Sequence, residues 1–163
     1  MKKLLLALSV LLATQAYALK SSSVSFKAKP TPNLFSIDGE GAHLTELTIK
    51  HAKHGNISGT ATASLVGLTT GMDLRDEHMH DNHLETKKYP EAKLTFNGVA
   101  GRFKGYLTLK GVKNAVFGTY KIIGDKKLTA QFKVRIADYP LGVPKYQAFT
   151  VADTVEVFVE AQL

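Results

Sequence analysis

LTAQFKVRI, residues 128–136, sets Leu128, Ala130, Phe132, Val134 and Ile136 at alternate positions, with Thr129, Gln131, Lys133 and Arg135 between them. Successive side chains of a strand point to opposite faces, so this stretch reads as a strand with one dry face and one wet face. The rhythm recurs along the chain. RFKGYLTLK (102–110) places Phe103, Gly105, Leu107 and Leu109 against Arg102, Lys104, Tyr106, Thr108 and Lys110, and EAKLTFN (91–97) carries Ala92, Leu94 and Phe96 in phase. TVEVFVEAQL (154–163) puts Val155, Val157, Val159 and Ala161 on one side, with Phe158 the apolar exception among the glutamates on the other. Nearer the start, VSFKA (24–28) and ISGTATASL (57–65) alternate likewise. In the second of these the inward residues Gly59, Ala61 and Ala63 are small and leave room inside.

Between these runs, Asp38-Gly39, Lys53-His54-Gly55-Asn56, Gly111-Val112-Lys113-Asn114 and Gly124-Asp125-Lys126 suit hairpin turns. Hairpins make neighbours antiparallel, and no long helical pattern alternates with the strands, which excludes a parallel α/β sheet. The expected fold is all-β, with roughly eight or nine strands near the usual length of ~5–6 residues or longer. An antiparallel barrel of about eight strands removes exposed edges and either fills with side chains or holds one small ligand. A two-sheet sandwich would show the same alternation.

The first residues, MKKLLLALSVLLATQAYALK, combine basic Lys2 and Lys3, an apolar run and a small-x-small Ala16-Tyr17-Ala18, the pattern of a leader cleaved after Ala18. The apolar run is shorter than the ~20 residues of a membrane span. The expected organisation is a signal peptide (1–18) and one barrel domain (19–163), exported to a bacterial periplasm. There is no cysteine, so the exported domain relies on its core alone. Removing Lys2 and Lys3 with the leader leaves 19 basic against 14 acidic residues, a net +5. The lysines are scattered, without the concentrated stripe that nucleic acid requires. Transient contact with a membrane surface fits this mild excess, and a homodimer is left open.

Only residues 69–89 break the two-residue rhythm. Asp73 is placed to cap a short helix, Pro90 forces an extended restart, and a helical insert around residues 73–84 is expected. In this insert and the strand after it, TGMDLRDEHM (70–79), Leu84-Glu85 and KYPEAKLTF (88–96) resemble, in order and spacing, the signature of the YceI-like, polyisoprenoid-binding family. GYLTLKGV (105–112) and the closing strand are similar to that family's later strands. The chain differs from longer members in a compressed first half and in IADYPLGV (136–143). The resemblance implies a lipocalin-like exported barrel that takes a long-chain isoprenoid, isoprenoid quinone, fatty amide or other apolar lipid into its interior. On that reading the interior ligand contacts come from Leu65, Leu94, Phe96, Phe103, Leu107, Leu109, Phe132, Val134 and Val157.

The chemistry-bearing residues sort as follows. No nucleophile elbow, phosphate-cradling glycine loop or paired catalytic set occurs, so no enzyme, cofactor or metal site is expected. Arg75, Asp76 and His78 are expected to form a clasp fixing the insert to the barrel, or to meet the head of a ligand. Adjacent Arg75 and Asp76 cannot face each other on a helix, so each needs a partner elsewhere. His78, His80 and His83 offer a rival reading, an exported metal-binding or stress-response protein, although on a helix only His80 and His83 share a face. A filled barrel serving as an interaction module is the other alternative.

Overall fold

The computed structural model describes residues 18–51, 56–124, 126–146 and 149–163. The leader through Tyr17, and Lys53, His54, Gly55 and Asp125 of the expected turns, lie outside the described residues. Among the described residues nine strands follow in order: β1 (Ser21–Thr31), β2 (Ile37–His51), β3 (Ile57–Ser64), β4 (Glu91–Val99), β5 (Arg102–Leu109), β6 (Val112–Ile123), β7 (Lys127–Arg135), β8 (Lys145–Tyr146) and β9 (Phe149–Gln162). From β1 to β7 each strand pairs antiparallel with its successor; β7 then pairs with β9, and β9 returns to β1. Eight strands therefore close into a barrel, with two-residue β8 paired to the start of β9. The closing seam is long, running from Ser21 opposite Gln162 to Thr31 opposite Thr150.

Alternation decides which side chains enter the barrel. In β7, Leu128, Phe132 and Val134 are buried while Gln131, Lys133 and Arg135 are exposed, and β5 repeats the pattern with Phe103, Gly105, Leu107 and Leu109 inside. Two expected turns sit elsewhere. Asp38 and Gly39 lie within β2, paired with Lys27 and Phe26. A Cβ at Gly39 would fall 2.0 Å from Cε1 of Phe26, so this glycine makes room for an inward ring across the strand pair instead of bending the chain. The β5–β6 turn centres on Lys110 and Gly111, at φ 49° and 77°, the two-residue geometry that matches strand twist. Val112, Lys113 and Asn114 already belong to β6.

The insert is α1 (Asp73–His78), continued by a π-helical segment, Met79–Leu84. Asp73 is the first helical residue and not the cap. Met72 holds the cap position without any side-chain bond to the helix; Gly71 at φ 75° turns the chain just ahead of it, and the helix starts one residue earlier than expected. The insert joins β3 to β4, so it sits at the same barrel end as residues 32–36, the Lys110-Gly111 turn and the β7–β9 connection. Toward the opposite end Phe96, Phe103 and Phe132 pack edge to face, with centroids 6.5 and 5.9 Å apart.

Candidate functional site: an apolar cavity with a helical rim

The inward faces do not meet across the barrel. They enclose a cavity of about 450 Å³, within the ~300–1,000 Å³ range of small-molecule sites. Its width follows from composition: Ala28, Ala42, Ala61, Ala63, Ala92 and Ala130 are in the wall, where larger residues would fill an eight-stranded lumen. The nine inward residues expected from the sequence (Leu65, Leu94, Phe96, Phe103, Leu107, Leu109, Phe132, Val134 and Val157) all lie in that wall. The three phenylalanines are both buried core and cavity lining, because a hollow core makes these one surface. The sequence also points Val24, Phe26, Ile57, Val155 and Val159 inward, and they line the cavity too.

Polar groups gather at the rim, where the insert is held by a loop residue that was not among the candidate site residues. Thr70, just ahead of α1, is the common partner of Arg75 and Asp76. Arg75 donates from Nε to Thr70 Oγ1 and from Nη2 to the Thr70 carbonyl, both at 2.7 Å. The Asp76 carboxylate accepts from the Thr70 amide at 2.7 Å, from the Thr70 hydroxyl at 2.5 Å, and from the Thr69 hydroxyl. Burial alone would raise the Asp76 pKa, but the bonds from Thr69 and Thr70 and the charge of Arg75 outweigh it and hold the group below its usual value. The clasp is thus Arg75 and Asp76 meeting on Thr70. His78 takes no part in it: its exposed side chain has no hydrogen bond among the described residues and lies in the cavity wall beside Arg75.

The other histidines point apart. A carbonyl can only accept, so His80 Nε2 donates to Leu68 O at 2.7 Å, and Nδ1 at 3.0 Å accepts from the Thr86 hydroxyl in the neutral ring. Both nitrogens are engaged. His83 donates from Nδ1 to Leu141 O at 2.7 Å, stitching the insert to the β7–β9 connection. No group of three His, Asp or Glu side chains among the described residues is arranged to hold a metal.

Three more bonds fix that connection over the opening. Lys110, on the β5–β6 turn, donates to Pro140 O at 2.8 Å and pairs with Glu85 at 2.7 Å. Asn114 donates to Asp138 O. The Tyr139 hydroxyl donates to Leu107 O at 3.2 Å, and burial pushes the phenol up to about 12. These residues lack any local pattern: each joins segments far apart in sequence, and only the folded barrel brings them together.

A closed β-barrel around an apolar cavity with a polar rim is the architecture of a small-molecule binding module. The chain belongs to the YceI-like domain family, whose model matches residues 17–163. Among solved structures it is similar to one described as a polyisoprenoid binding domain from Saccharophagus degradans implicated in plant cell wall breakdown. That likeness has a TM-score of 0.63 and 19% identity, and covers 90% of this chain and 97% of the other. At that identity the likeness speaks to the fold. No curated protein matches the chain.

Proposed function

We propose that this protein is an exported, periplasmic carrier or sequestering protein for a long-chain amphipathic lipid, with the apolar tail in the barrel and the head at the rim. The observation that carries the reading is the 450 Å³ cavity with its almost wholly hydrocarbon wall. At ~25 cal/mol per Å², hiding a few hundred Å² of tail contributes several kcal/mol before ordering costs. The structural neighbour's description as polyisoprenoid-binding supports an apolar ligand. The rim supports transfer at a membrane surface, since Leu34, Phe35, Met72, Leu74 and Val143 are exposed apolar residues on three connections of that end. The basic, apolar and small-x-small pattern of residues 1–18 supports export.

Mass spectrometry of an organic extract of protein purified from its native cell tests the reading directly, paired with titration of the delipidated protein with a fluorescent long-chain probe. A stoichiometric lipid and saturable uptake are expected. An extract free of apolar molecules, together with no uptake, would overturn the proposal.

A further inference from the structure

Resting on the carrier reading above, we infer that the ligand is a single-chain lipid of about 15 carbons with an anionic head, a carboxylate or phosphate monoester. Length follows from volume. At ~30 Å³ per water-sized group, close to the size of a methylene, the 450 Å³ cavity holds about 15 such groups. A much longer chain would leave its remainder outside the barrel.

The head group follows from charge. The cavity wall includes four basic side chains, Arg75, His78, His83 and Lys145, and no aspartate or glutamate. All four come from the rim elements: Arg75 and His78 from α1, His83 from the π-helical segment, and Lys145 from β8. Each has a group to offer. Arg75 spends Nε and Nη2 on Thr70 and keeps Nη1. His83 spends Nδ1 on Leu141 and keeps Nε2. The side chains of Lys145 and His78 have no ion pair or hydrogen bond among the described residues. Asp76, next to Arg75 in sequence, bonds to Thr69 and Thr70 and is not in the cavity wall, and the lysines of this end that do meet carboxylates, Lys87 and Lys110, are paired with Asp81 and Glu85. A tail filling the lumen would thus place its head among donors and cations, in a site offering planar and point-charge partners to an anion.

The test compares heads at fixed length, and lengths at fixed head, on delipidated full-length protein. Hexadecanoate, hexadecyl phosphate, hexadecan-1-ol and hexadecylamine are titrated by calorimetry, and the saturated acids from decanoate to docosanoate are competed in native mass spectrometry. The acid and the phosphate are expected to bind about tenfold tighter than the alcohol, with the amine weakest and the chain optimum near hexadecanoate. Which of the two anions binds tighter identifies the source of the head. K145Q combined with H78Q should narrow the gap between acid and alcohol about fivefold, with urea denaturation of the variant as the control for folding. Equal affinity for acid, alcohol and amine, or an optimum at docosanoate, would overturn the inference while sparing the carrier reading. Binding of none of them would remove both.

Discussion

Ala130→Phe tests the hollow lumen most sharply. Ala130 is on β7, opposite Tyr120 of β6 and Val159 of β9, near the end of the barrel away from the insert, and its side chain lies in the cavity wall. The substitution adds a phenyl ring that occupies roughly six of the approximately 15 group-sized units the cavity holds. Displacing about six methylenes of a bound tail into water costs about 5 kcal/mol at ~0.8 kcal/mol each, more than about a thousandfold in affinity for a chain that filled the wild-type lumen. A chain shorter by about six carbons should lose almost nothing. Competition of saturated fatty acids in native mass spectrometry reads the optimum, and urea denaturation reads stability. In a filled core the same ring would cost ~1–3 kcal/mol of overpacking; in a hollow one stability should hold or rise. An unchanged chain-length optimum, or a variant destabilised as a packed core would be, refutes the reasoning.

Three further outcomes are expected. Thr70→Val removes the hydroxyl shared by Arg75 and Asp76; it should cost about 1–2 kcal/mol in denaturant, with amide exchange rising in residues 69–84 and not in β5–β7. Asp76 has a depressed pKa, so folding favours its ionised form; the stability it lends is complete above the ordinary aspartate value of 3.8 and is lost as pH falls through the lower folded value. Asp76→Asn should flatten that acid limb of the pH–stability curve, and an unchanged limb would count against the clasp. Gly118→Ala would set a Cβ 2.6 Å from Cε1 of Phe103 and 2.3 Å from the Gln131 carbonyl; a loss of about 1–3 kcal/mol is expected in urea denaturation, and a neutral result would mean that both the ring and the backbone of the β6–β7 pair yield there.

The parts of the fold legible in the sequence are those governed by a period of two. Leu128 to Ile136 could be assigned to faces because each residue's direction depends only on its parity within the strand. Closure was a matter of pairing: it depends on β1 meeting β9, which leaves no mark on either strand alone. Hollowness is a property of a cross-section. Ala61 and Ala130 enlarge the lumen only because Ala42, Ala63 and Ala92 also line it, and no single strand carries that sum. At the rim, the need of Arg75 and Asp76 for outside partners was legible from helix geometry, but the choice of Thr70 depended on the turn at Gly71. Gly39 misled for a related reason: beside Asp38 it looks like a turn, whereas its role is set by Phe26 on the neighbouring strand.

The seam between β1 and β9 has a kinetic consequence. The contacts along it link residues at the two extremes of the described chain, so their loop-closure entropy is the largest in the molecule and they reward the chain last. Until that final zipper forms, β1 and β9 each present an open hydrogen-bonding edge beside a strip of oily side chains, the state in which a newly threaded polypeptide is most prone to stick to its neighbours. Substitutions that weaken Val24, Phe26, Val157 or Val159 should therefore lower soluble yield, in addition to any change they make to the cavity wall in which they lie.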